Sequence, residues 1–125
     1  MSEAFNPIQA MTSLRDWAIK LEEIGQRKIS AMVEYNLKAN LLLEKEQEAR
    51  NLLFTGVEEV QASKVRDWIK WYCAKEELEA FKAENKYKEI RDEYEMIDRL
   101  ISVTQTATKL AETEMRMTNI NNLSY

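Results

Sequence analysis

Almost nothing in this chain can stop a helix. Its 125 residues include one proline, Pro7, and two glycines, Gly25 and Gly56. Proline and glycine are the strongest interrupters of helical structure, so the sequence predicts two long helical arms with one break between them. Asn6 before Pro7 is a helix start, because Asn can cap free amides and Pro suits the first helical position. In the first arm, residues 7–54, one seven-residue frame fits Met11, Leu14, Ala18, Leu21, Gly25, Lys28, Met32, Tyr35, Ala39, Leu42, Glu46, Ala49 and Leu53. Alternating steps of three and four keep such positions on one stripe. Gly25 marks the point where this arm would kink.

The break is Thr55-Gly56-Val57-Glu58. Gly56 can take the left-handed conformation that ends a helix. Thr55 and Glu58 have the spacing of a capping box, and Ser63 offers a second capping side chain. Residues 55–62 thus read as the tip of a hairpin and residues 63–118 as its second arm, with 119–125 a loose, aperiodic tail. The second arm's stripe is Ile69, Cys73, Glu76, Ala80, Ala83, Tyr87, Ile90, Tyr94, Ile97, Ile101, Thr104, Thr108, Ala111 and Met115. Beside it runs a further apolar row of Met96, Leu100, Val103, Ala107, Leu110 and Met117. A doubled stripe needs a wider burial partner than one helix.

Folding the arms back so that Phe54 lies beside Ser63 sets Trp17 near Leu100, and Leu14 and Leu21 near Val103 and Met96. The expected fold is therefore all-α, a single domain formed by a long antiparallel helical hairpin. A two-helix hairpin buries little core per residue. Self-association is expected to complete it, most simply as a dimer forming a four-helix bundle. Met96, Leu100, Val103, Ala107 and Leu110 are the candidate oligomer interface.

Composition narrows the function classes. A mixture of 45% hydrophobic and 32% charged residues suits exposed amphipathic helices and contains no membrane-length apolar run. The first residues lack the basic start and apolar core of a secretory signal. Cys73 is the sole cysteine and so cannot form an internal disulfide, which fits a reducing compartment. A cytoplasmic location is expected. Net charge of −4 argues against general binding to nucleic-acid phosphates.

Catalytic chemistry finds little footing. The chain has no histidine, the commonest general base and metal ligand. One cysteine cannot make a zinc site, and two distant glycines cannot make a phosphate loop. No enzyme activity, cofactor or metal is expected. The acidic pairs Glu22-Glu23 and Glu76-Glu77 read as solvated faces, while Glu46/Arg50, Glu84/Lys88 and Glu95/Arg99 have the spacing of helix-surface ion pairs.

The sharpest local feature is the run from Ser63 to Tyr72, SKVRDWIKWY. Residues 61–75 carry four bases and one acid, a net +3 in an acidic protein. On one continuous helix Lys64, Trp68, Trp71 and Lys75 would share a face. Trp and Arg are enriched in protein-binding hot spots, and rings flanked by cations also stack on single-stranded bases. Alternatively, both indoles plug the hairpin tip against Leu52, Leu53 and Phe54. The candidate partner-binding residues are Lys64, Arg66, Trp68, Lys70, Trp71 and Lys75. Cys73 and the tyrosines at 87 and 94 read as core.

The arm from Tyr35 to Leu42, the Val65-Arg66-Asp67-Trp68 segment, the stretch Ala80–Lys88 and the segment Leu100–Thr106 together resemble small helical proteins of bacteriophage early gene clusters, beside replication and recombination genes. That resemblance covers residues 35–112 and implies a setting rather than a mechanism. The resulting expectation is a non-enzymatic protein-binding accessory factor, phage or mobile-element encoded, acting in DNA replication, recombination or counter-defence in the host cytoplasm. Its partner would be a host or phage protein. The alternatives are a single-stranded nucleic-acid binder using the same tip, or a structural coiled-coil or assembly chaperone.

Overall fold

A computed structural model describes residues 6–123, with side chains described through Asn119. Among these residues the chain is all-α and contains no strand. Helix α1 spans Pro7–Phe54, a single 3-10 turn spans Ala62–Lys64, α2 spans Val65–Tyr72 and α3 spans Ala74–Leu123.

Helix α1 starts as its sequence dictates. The Asn6 Oδ1 accepts the amides of Ile8 at 3.0 Å and Gln9 at 3.3 Å, and Pro7 needs no acceptor for the amide it lacks. The helix then continues through Gly25 without interruption. It stops at Gly56, whose φ is +76°. The Gly56 amide returns to the Leu53 carbonyl at 3.3 Å and the Glu58 amide to Leu52 at 3.1 Å, closing the helix end.

Three local expectations at the break do not hold. The Thr55 hydroxyl donates back to the Asn51 carbonyl at 2.7 Å, so it finishes α1 and caps nothing ahead of it. Ser63 lies inside the 3-10 turn, and neither that turn nor α2 has a side-chain cap. The second arm is not one helix either, because Cys73 leaves helical geometry with φ −98° and ψ 6°. Hydrogen bonds run through the joint nonetheless: Cys73 donates to Ile69 at 3.0 Å and accepts from Glu77 at 2.9 Å. At the far end, α3 extends to Leu123, through residues expected to form a loose tail; Ser124 and Tyr125 lie outside the described residues.

The chain divides into two compact units. Unit 1 joins Met1–Gln26 to Asp92–Tyr125, and unit 2 is Arg27–Arg91. In unit 2, Glu34 on α1 lies 3.8 Å from Lys86 on α3, and Lys38 lies 3.3 Å from Glu79. The rings of Tyr35 and Tyr87 have centroids 6.1 Å apart. Rising positions on α1 meet falling positions on α3, so these two segments run antiparallel. Their buried residues are small: Ala31 and Ala49 on α1, Ala80 and Ala83 on α3, with Cys73 and Ile90. In unit 1 the buried residues are Ala10, Ile24 and Ile97. Leu14, Trp17 and Leu21 on α1, with Tyr94, Ile101 and Thr104 on α3, are half-buried around them.

The α3 stripe is the expected one, inward-facing from Cys73 to Ala111, with only Met115 exposed. The α1 stripe differs. Met11, Ala18 and Met32 are exposed, and the row one position earlier, Ala10, Trp17, Ile24 and Ala31, turns inward. Leu14, Leu21, Lys28, Tyr35, Leu42 and Ala49 belong to both rows. Moving every second position back by one turns the buried face by about 50°, half of the roughly 100° per residue of a helix, so that Ile24 is buried and Gly25 half-buried. Met96, Leu100 and Val103, expected opposite Leu21, Trp17 and Leu14, remain exposed.

The two glycines should respond oppositely to alanine. A Cβ on Gly25 would meet Tyr94 Cε2 at 3.4 Å, an ordinary contact, on a helical backbone. Gly25→Ala should therefore stabilise by roughly 0.5–1 kcal/mol. Gly56→Ala should destabilise by about 1 kcal/mol, because its φ of +76° is strained for any residue with a Cβ. Ala83→Leu should cost about 1–3 kcal/mol by overfilling the seam. Urea unfolding followed by circular dichroism measures all three.

Candidate interaction surface

The candidate tip residues all belong to unit 2 and are divided among three elements. Lys64 ends the 3-10 turn, Arg66, Trp68, Lys70 and Trp71 lie on α2, and Lys75 lies in the first turn of α3. The break at Cys73 interrupts the helix that would have aligned Lys64, Trp68, Trp71 and Lys75. The two indoles, both within α2, differ in burial. Trp68 is half-buried, while Trp71 is 71% exposed. Neither the expectation that both indoles are surface nor the alternative that both are plugs describes this arrangement.

What turns Trp68 inward is a cluster the sequence did not single out. Trp68 stacks on Tyr72 with centroids 5.2 Å apart and planes 21° from parallel. The Tyr72 hydroxyl donates to Glu48 Oε1 on α1 at 2.8 Å. Lys45 lies 3.6 Å from the same carboxylate and 4.5 Å from the Tyr72 ring centroid. One short helix is thereby pinned to α1 by a ring, a carboxylate and a cation. The signal was present as Lys45 and Glu48 at a spacing of three, and as a tyrosine one residue past the second Trp.

The electrostatics follow from these contacts. The hydrogen bond to Glu48, then desolvation, push the Tyr72 hydroxyl above the usual phenol value, and Lys45 only partly offsets them. For Lys45, desolvation favours the neutral form but is outweighed by Glu48, Tyr72 and Glu76, so its pKa is raised. Burial first, then the charges of Glu46 and Glu76, push the Cys73 thiol up. That thiol is 2% exposed, so it is poorly placed for thiolate chemistry.

Outward from this pinned core, α2 presents Arg66, Asp67, Lys70 and Trp71, all exposed. Arg66 and Lys70 are one turn apart, as are Asp67 and Trp71. At the end of α1 and in the connection, Phe54 and Val57 are also exposed, Phe54 at 91%. On α2 itself the surface is an exposed indole flanked by cations, with Asp67 one turn from it.

Glu22, Glu23 and Glu77 are exposed and Glu76 is half-buried. Among the described residues no group of three or more Cys, Asp or Glu side chains could hold a metal. Glu84 and Lys88 form the expected surface pair at 2.8 Å. In unit 1, Met96, Leu100, Val103 and Leu110 are exposed and Ala107 is half-buried. No described helix is long and apolar enough to cross a membrane.

No family model, curated protein or solved structure matches this chain.

Two measurements check this geometry. Tyr72 should ionise above the usual phenol value in an alkaline titration of phenolate absorbance, and Tyr72→Phe should delete that component. Because its folded pKa is raised, its contribution to stability is full below the unfolded phenol value and is lost as pH rises through the folded one. Cys73 should react with a thiol reagent at least about tenfold more slowly in the native protein than in denaturant.

Proposed function

We propose that this protein works by contact rather than catalysis. It is a helical hairpin that self-associates, as the four-helix bundle expected from its sequence, and captures another protein through the surface around Trp71. The observation that carries this reading is the distribution of apolar side chains. The buried set among the described residues is five alanines, three isoleucines and one cysteine, while twenty large apolar residues are exposed. Soluble monomers rarely leave extended apolar rows uncovered, and such rows mark interaction sites.

Around Trp71 the chemistry favours a protein partner. An indole standing out of the surface with Arg66 and Lys70 nearby suits an acidic segment bearing an apolar anchor. Single-stranded nucleic acid is the second reading, because a cation-flanked exposed ring is what base stacking needs. Asp67, one turn from Trp71, weighs against it by repelling phosphate. The setting implied by the resemblance, a phage or mobile-element accessory factor in DNA replication, recombination or counter-defence, belongs to the same proposal.

Light scattering should give a molar mass above the 14.7 kDa of one chain; a strict monomer would sink the self-association. Trp71→Ala and Arg66→Glu should leave helicity and mass unchanged while abolishing capture of the partner protein. If either variant unfolds the chain, the surface is core and the reading fails. Titration with oligo-dT should leave Trp fluorescence unchanged at low salt; salt-sensitive quenching would instead favour the nucleic-acid reading.

A further inference from the structure

Helix α2 is held differently from the two long helices. None of its eight residues is buried, and its first turn has no side-chain cap. Before it, residues 55–61 are exposed apart from half-buried Val60 and include Gly56 at φ +76°. After it, Cys73 departs from helical geometry at φ −98° and ψ 6°. A helix bounded by non-helical backbone at both ends takes its orientation from side-chain contacts rather than from its neighbours along the chain.

Those contacts lie on one face. Val65, Trp68, Ile69 and Tyr72 follow i, i+3, i+4, i+7 and are half-buried, while Arg66, Asp67, Lys70 and Trp71 are exposed. The polar tie to α1 is the Tyr72 hydroxyl on Glu48 Oε1 at 2.8 Å, with Trp68 stacked on the Tyr72 ring. Lys45 of α1 completes the tie, because its charge reaches all three helices at this end of unit 2. It lies 3.6 Å from Glu48 on α1 and 4.5 Å from the Tyr72 ring on α2. It also attracts Glu76 on α3, whose Oε2 is buried without a hydrogen-bond partner.

We infer that the Tyr72–Glu48–Lys45 contact is a latch that docks α2 on α1 and fixes the outward aim of Trp71, and that α2 opens as a local unit when the latch lets go. Glu48 and Lys45 are then positioning residues for a surface they do not belong to. Latched, α2 presents Trp71, Arg66 and Lys70 as a preorganised set, which removes part of the ordering cost of binding. Unlatched, it frees Val65, Trp68 and Ile69 instead. The use of the latch rests on the tip reading proposed above, but its existence is tested without any partner.

Native-state hydrogen exchange, corrected for intrinsic rates, provides that test. Amides of α2 should exchange at least about tenfold faster than those of residues 31–49 and 80–90. Their rates should respond little to dilute urea, because a small opening exposes little surface. Tyr72→Phe should speed α2 exchange by about five-fold, the loss of one hydrogen bond, and leave the other two segments unchanged. Glu48→Leu should do the same, and the double variant should be no faster than either single one. Exchange of α2 at the rate of its neighbours, or no response to Tyr72→Phe, overturns the inference. So does a rise shared equally by all three segments, which marks a contact supporting the whole unit, and so do additive effects of the two variants. None of these outcomes bears on capture by Trp71, and a failure of that capture leaves the latch standing.

Discussion

Everything here depends on helices that approach one another through small side chains. Ala31, Ala49, Ala80 and Ala83 are buried in unit 2, joined by Cys73 and Ile90, and Ala10, Ile24 and Ile97 are buried in unit 1. A seam of methyl groups lets backbones come close but removes little apolar surface from water. Fully burying a Leu or Ile contributes roughly 1.5–3 kcal/mol, and a methyl contributes well below that. Such a seam therefore leans on length and on its edges. The Lys38–Glu79 and Glu34–Lys86 pairs run in opposite senses across the unit 2 seam, so a shift of register would break both. Each is partly exposed and worth at most about 1 kcal/mol, which makes them guides to register more than sources of stability.

How much of this could be read from residues alone follows from which forces act locally. The cap at Asn6, the stop at Gly56 and the inward row of α3 were all readable, because each depends on a backbone preference or on a single clear periodicity. The α1 row was readable only in part. Leu14, Leu21, Tyr35, Ala39, Leu42, Ala49 and Leu53 are buried or half-buried as expected, while Met11, Ala18 and Met32 are exposed. The two possible frames share every second position, and a count of side-chain size does not choose between them, since one has Met11 and Met32 and the other Trp17 and Ile24. The break at Cys73 was invisible for a different reason: no glycine or proline marks it, and its hydrogen bonds continue through the joint.

The tip shows the same limit at the level of the site. Spacing on one ideal helix grouped Lys64, Trp68, Trp71 and Lys75, and the helix ends too soon to hold them together. What organises the surface is instead Tyr72, reaching Glu48 on α1 and receiving the stacked ring of Trp68. No local pattern announces a bond between residues 24 positions apart. Once it forms, it divides two chemically identical indoles into a structural one and an exposed one. The basic-aromatic run correctly marked the region, while the assignment of roles within it required the tertiary contact.

Under the self-association proposed above, a chain with this many large side chains outside has its stability coupled to its assembly. Whatever binds the folded form alone stabilises it by mass action, by about 2.7 kcal/mol at a hundredfold excess over Kd. For a domain whose total stability lies near 5–15 kcal/mol, that is a substantial share. In that proposal the exposed rows do two tasks at once: they recognise a partner, and they supply burial beyond what the seam provides. Moving those large side chains into the seam would not be a neutral exchange. It would force the helices apart and break the Lys38–Glu79 and Glu34–Lys86 guides. The small interior and the apolar exterior are one arrangement, and neither is intelligible without the other.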